Sequence, residues 1–258
     1  MKIWYQSLAP LGHLHRYVAA LEAHARAACP GANVHFNGAS EAPYHGRTPQ
    51  DLMHFPYLKL AMQQEAITFA RQAEREGYDA FILGSFSEPF LPEIRSLLSI
   101  PVVSMPEAAL LLACSLAEKF ALVTLGPGSN TRVSKLVERH GLETRVSSIT
   151  QFRKPIDEAE LDAAFTDPAP LVARFTEVAL PAIAAGADLV VPAEGVLNEV
   201  LWANGCHVLD RATVMDCVGA SLVQAEMLVA ARRRLGLGVG RRWAYQQPPA
   251  ALLAELGL

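Results

Sequence analysis

An α/β fold made of two similar halves that face one cleft is predicted by three features of the chain. First, two stretches match each other across more than a hundred residues: Tyr78 to Pro89 and Gly186 to Val196. In each, a helical segment ends near a Gly, an Asp opens a short apolar run of strand length, and small or polar residues follow at once. Such runs read as buried parallel strands that deliver their last residues to the carboxyl edge of a sheet, where open α/β folds hold their chemistry. Second, short apolar runs alternate with segments of helical spacing along the chain, which implies parallel strands joined by right-handed crossovers. Third, 258 residues with 51% hydrophobic content suffice to fill one large or two modest cores.

The elements follow in order. Lys2 to Tyr5 reads as a strand, and Gln6 to Gly12 as the loop that leaves it. Leu14, Val18, Leu21, Ala25 and Ala28 mark a helix that Cys29-Pro30-Gly31 stops. Asn33 to Gly38 is the second strand. The polar, aromatic and Pro-containing stretch Ala39 to Phe55 lacks periodicity, and a loop of that length predicts either a lid over the cleft or a plain surface excursion. Tyr57 to Glu76 reads as one helix leading to the strand at Asp79. A helix over Pro89 to Leu98, a strand over Pro101 to Met105 and a helix over Pro106 to Ala117 complete the first half, the last with Pro in its first turn.

The pattern then restarts with a strand at Phe120 to Leu125, a helix to His140 stopped by Gly141, and a weaker strand at Arg145 to Ile149. Gln151 to Pro170 is the least regular stretch and a second lid candidate. A helix over Leu171 to Ala185, the strand from Asp188, a short helix over Leu197 to Asn204 and a strand over His207 to Asp210 follow. Thr213 to Leu235 reads as a long helix that returns to the first half. The halves are therefore predicted as 1–117 with 213–258, and 118–212. The tail from Gly236 to Leu258 predicts a strap or a subunit contact.

A net charge of −4 and the absence of long basic runs argue against a nucleic-acid or anionic-membrane partner. The apolar run Ala108 to Ala117 is too short to span a bilayer, and Met1 to Tyr5 opens as a strand rather than a signal peptide, so a cytoplasmic location is expected. Cys29, Cys114, Cys206 and Cys217 show no metal spacing and read as reduced, mostly buried thiols. Gly126-Pro127-Gly128 lacks both the glycine register and the acidic partner of a dinucleotide site. Neither a cofactor nor a metal is expected; His45 and His54 have no ligand spacing with Glu194.

Several stretches taken together resemble the aspartate/glutamate/hydantoin racemase superfamily, and its hydantoin racemase branch in particular. They are Asp79 to Pro89, Ile100 to Ala109, Phe120 to Thr124, Gly186 to Gly195 and His207 to Asp210, in family order over nearly the whole chain. The resemblance implies two Rossmann-like halves related by a pseudo-twofold axis, a site between them, a small-molecule substrate, no cofactor, and a homo-oligomer. It also implies two facing cysteines at the ends of the key strands, one removing the α-proton and the other returning a proton. A thiol suits that task because its pKa of about 8.5 can be tuned towards neutrality. Here Ser85 and Ala193 hold those positions, with Glu194 beside the second, so a two-thiol racemisation is unavailable.

Three readings stay open. In the leading one the chain is a hydrolase of a cyclic amide or imide, with Ser85 as nucleophile or binder and Glu194 as general base. In the second it is an isomerase, racemase or decarboxylase with Glu194 as a single base, Ser85 and Thr124 steadying an enolate. In the third it is a binding protein that kept the cleft and lost the thiols. The bland alternative for the pair is a capping Ser85 and a surface Glu194. Further binding candidates are Tyr5, Gln6 and Ser7 after the first strand, Phe86 and Ser87 after Ser85, Gly126, Ser129 and Asn130 after the restarted strand, Gly195, and His45 in the lid candidate. Backbone amides at these helix starts suit an oxyanion or carboxylate.

Overall fold

The computed structural model describes residues 1–257; Leu258, the last residue of the predicted tail, lies outside them. The first sheet holds β1 (Lys2–Gln6), β2 (Asn33–Asn37), β3 (Ala80–Leu83) and β4 (Val102–Ser104), all parallel, in the order β2-β1-β3-β4. The second holds β5 (Phe120–Thr124), β6 (Val146–Gln151), β7 (Leu189–Pro192), β8 (Val208–Leu209) and β9 (Ala212–Val214), in the order β6-β5-β7-β9-β8. Its first four strands are parallel and repeat the order of the first sheet; β8 adds an antiparallel edge. Two doubly wound units with one shared strand order give the expected α/β architecture.

Helices cover both sheets: α1 (His15–Ala28), α2 (Pro49–Leu52), α3 (Pro56–Gln63), α4 (Glu65–Arg75), α5 (Leu91–Leu97), α6 (Met105–Leu116), α7 (Pro127–Arg139), α8 (Glu158–Ala163), α9 (Ala169–Ala184), α10 (Gly195–Ala203), α11 (Cys217–Leu235) and α12 (Ala250–Glu255). The central strands β3, β5 and β7 are buried along their whole length, which is why their sequences run apolar without alternation. The largest apolar cluster joins Ile3, Tyr5, Ile82 and Met105 to Phe120, Leu189 and Val218, so one core runs under both sheets. Helix α11 packs on α1, α6, α10 and the strands β3 and β4.

Four elements differ from the sequence reading. The long helix over 57–76 breaks at Gln64 into α3 and α4. The irregular stretch 151–170 contains α8, started by a capping box between Asp157 and Glu160. Loop 39–55 holds a turn of 3₁₀ helix and α2. Ala212–Val214 is a strand rather than the start of the long helix, which begins at Cys217. The tail does strap: Arg241 and Gln247 donate hydrogen bonds to the carbonyls of Arg95 and Leu97 at the C-terminal end of α5, supplying partners that helix ends lack.

Gly84 shows how closely the site region is packed. A Cβ at this position would lie 2.2 Å from the ring of buried Tyr5. Gly84→Ala is therefore expected to lower stability by about 1–3 kcal/mol through overpacking, measurable as a lower urea midpoint at unchanged slope.

Candidate active site

The carboxyl ends of both sheets open on a cavity of about 740 Å³. Its lining comes from the loops after β1, β3, β5 and β7, from the first turn of α1, from α2 and α3, from α7, and from α8. The two lid candidates meet over it: the Gln50 amide N–H donates to Glu158 Oε1 at 3.1 Å and its side-chain amide to the Ile156 carbonyl at 3.4 Å.

Ser85 and Glu194 each stand two residues past the last residue of a central strand, β3 and β7, and both line the cavity. Ser85 is half-buried. Its hydroxyl accepts from the Ser87 amide at 3.2 Å and shares a hydrogen bond with the Ser87 hydroxyl at 3.1 Å, which Gln63 Nε2 contacts at 3.0 Å. Among the described residues no histidine or carboxylate hydrogen-bonds to it. An activated serine needs such a base within about 2.6–3.2 Å, and Ser85 is held here as a hydrogen-bonding hydroxyl with Ser87.

Glu194 caps α10: its side chain accepts from the Leu197 amide at 2.6 Å. Half-buried in the cavity wall, the carboxyl titrates above its usual range. Burial is the main cause and the charge of Glu158 adds to it, while hydrogen bonds from the amides of Leu197, Val196 and Gly195 hold it back. A carboxyl lifted in this way accepts and returns protons nearer neutrality than a solvated one. It is not a surface carboxylate.

Tyr17 is the residue that sequence reasoning missed. It sits on the first turns of α1, buried, lining the cavity, with its hydroxyl 3.1 Å from where a Gly195 Cβ would be. Burial, then the charges of Glu194 and Glu199, push its pKa well above the ordinary phenol value, with the Tyr5 hydroxyl as its hydrogen-bonding neighbour, so it is a neutral phenol beside the start of α10. In the sequence it falls beside the apolar stripe of α1 and carries no motif.

Ser7, Phe86, Ser87, Gly126, Ser129 and Gly195 line the cavity as expected. Tyr5, Gln6, Thr124, Asn130 and His45 are corrected, since none of them does. Tyr5 is wholly buried under Gly84, and Gln6 is buried too, spent on Trp4, Asn37 and the Ser7 carbonyl. The Thr124 hydroxyl is buried and donates to Asn130 Oδ1 at 2.9 Å, so each satisfies the other. His45 ends the 3₁₀ turn with φ 48° and is exposed. Side chains at the end of a strand alternate between faces, so adjacency to the loop did not guarantee access.

Cys29 and Cys217 are buried, Cys114 and Cys206 half-buried, and no thiol is among the lining residues. The Cys217 Sγ lies 3.5 Å from the Pro192 carbonyl. Burial, with acidic neighbours, lifts its pKa far above the ordinary thiol. Among the described residues no group of three or more His, Cys, Asp or Glu side chains is placed to hold a metal ion, and no helix is long and apolar enough to cross a membrane.

Comparison with known proteins fits this geometry. A hydantoin racemase of Paenarthrobacter aurescens is 28% identical over 185 residues, 69% of this chain and 71% of that one. A hydantoin racemase of Rhizobium meliloti is 27% identical over 164 residues, 62% of this chain and 64% of that relative, just under two thirds of its length. The solved allantoin racemase of Klebsiella pneumoniae shares the fold, with a TM-score of 0.72 over 96% of this chain and 94% of its own at 21% identity. The family model for Asp/Glu/hydantoin racemases matches residues 16–193, well over half of the chain, which therefore belongs to the Asp/Glu/hydantoin racemase family.

Proposed function

We propose that this chain is a racemase-family enzyme that moves a proton at a carbon next to a carbonyl with one carboxylate, Glu194, in place of the family's thiol pair. The observation that carries this reading is the raised pKa of a capped, half-buried Glu194 in a cavity that no cysteine lines. As carboxylate, Glu194 takes the α-proton, leaving the electron pair of the C–H bond on the substrate as an enolate. The hydroxyls of Ser85 and Ser87 and the phenol of Tyr17 are the donors available to that oxygen. Hydrogen bonds aimed at developing charge in a water-poor site are a large part of such catalysis. Protonated Glu194 then returns the proton.

The same arrangement serves decarboxylation, in which loss of carbon dioxide forms the enolate and Glu194 only protonates it. Hydrolysis, the leading reading of the sequence, is not favoured: nothing within reach of Ser85 activates it. Isotopes test the choice. In heavy water, deuterium should enter the substrate at the carbon next to the carbonyl without ring opening, seen by NMR. Incorporation of labelled solvent oxygen into product, with no deuterium on carbon, overturns the proposal.

A further inference from the structure

The reading above leaves one wall of the cavity unexplained. Lys59 on α3 and Arg132, Lys135 and Arg139 on α7 all line it, and the charges of Arg132 and Arg139 act on Lys59. Arg139 is paired with Glu88 at 3.3 Å. Lys59, Arg132 and Lys135 form no ion pair with a carboxylate among the described residues. Arg132 donates only to Ser129 Oγ, at 3.0 Å, and its Nε is buried without a hydrogen-bond partner.

Such a grouping costs stability in the empty protein. Burial and then the charges of Arg132 and Arg139 pull Lys59 down to about 8, and burial pulls Arg132 down as well, against the charge of Glu194. Clustered cations with low-dielectric walls concentrate field on whatever enters. A buried guanidinium N–H with no acceptor is a cost that a bound oxyanion removes. Elsewhere in this chain partly buried arginines are provided for: Arg95 on Glu107 and Arg174 on Glu160.

We propose that Lys59 and Arg132 form a carboxylate subsite, and that the substrate carries a free carboxylate in addition to the group activated for proton transfer. This deepens the function proposed above and rests on it. Lys59 comes from the first half and Arg132 from the second, so the seated carboxylate ties both halves to one ligand. Arg132 and Glu194 line the same cavity, and the charge of Glu194 acts on Arg132. A small dicarboxylic acid or a carboxylate-bearing carbonyl compound fits; an uncharged hydantoin leaves these cations unsatisfied.

Binding measured without turnover tests this. The full chain is titrated calorimetrically with malonate, succinate, inorganic phosphate and hydantoin, and melting curves confirm that each variant is folded. Malonate or succinate should bind more tightly than hydantoin, and more weakly at high salt. Lys59→Met and Arg132→Gln should each weaken that binding about tenfold or more, the effect of a lost charged hydrogen bond, and leave hydantoin binding unchanged. Dicarboxylate affinity indifferent to both substitutions overturns the subsite, as does phosphate binding tighter than either acid with the same dependence on Arg132. Glu194→Gln should keep dicarboxylate binding, so loss of the proton-transfer reading and loss of the subsite are told apart.

Discussion

Glu194→Gln should lower deuterium exchange at least about a hundredfold, within the roughly 10²–10⁴ that a positioned general base contributes, while ligand affinity changes little. The amide keeps the size of the side chain, and its oxygen can still accept from the Leu197 amide, so α10 keeps its cap. What is lost is the group that takes and returns the proton. Glu194→Ala should cost the same activity and in addition about 1 kcal/mol of stability for the missing cap. Exchange rates and urea midpoints measured on both variants separate the two roles. Full exchange in Glu194→Gln rules out this carboxyl as the base. Because burial raises the Glu194 pKa and the base must be ionised to act, activity should rise with pH through a window above the ordinary carboxylate range.

The second large effect concerns a buried ionic triad whose members do not line the cavity. His24 on α1 contacts Glu199 of α10 through Nδ1 and Asp216, the cap of α11, through Nε2, each at 2.8 Å, and stacks on Trp202 with ring centres 3.9 Å apart. Asn198 Nδ2 approaches both carboxylates, and its Oδ1 accepts from the Cys217 amide. Burial lowers the affinity of His24 for its proton, but the hydrogen bonds that it donates to both acids more than offset this and hold it at about 9. Removing the imidazole strands two carboxylates, one wholly buried, so His24→Ala should cost about 3–5 kcal/mol.

The pH dependence has a definite sign. A histidine whose folded pKa, about 9, exceeds its unfolded value of 6.5 stabilises fully below pH 6.5 and loses that contribution as pH rises through 9. The amount is about 3 kcal/mol. The raised Glu199 works in the same direction, whereas the lowered Asp216 contributes above the ordinary carboxylate range and is lost on acidification. Denaturation of the wild type at pH 6.5 and 9.5 should show the loss, and His24→Gln should flatten it. A flat wild-type profile across that window contradicts the account.

Strand content was legible because buried parallel strands advertise themselves as apolar runs, and Gly141 as a helix stop holds with φ 66°. The features that escaped have local physical reasons. The hairpin between β8 and β9 turns through Asp210 and Arg211, both at positive φ without glycine, so no glycine marked the turn, and the three-residue strand after it was absorbed into the helix that Asp216 caps. The capping box Asp157 to Glu160 was readable but lay in a stretch that looked merely polar. Ser85 and Glu194 stood out because they follow matching strands. The triad could not stand out, since its members are 175 and 192 residues from His24 and no spacing rule reaches that far.

Helix α10 holds Glu194 at its first cap and Glu199 five positions later, so four residues lie between the proposed proton carrier and the rivet that fixes this helix to α1. Any change that loosens the rivet tilts the carrier. Heat or alkali should therefore silence the enzyme before the chain as a whole unravels, and variants selected for durability at that rivet should surface as altered turnover.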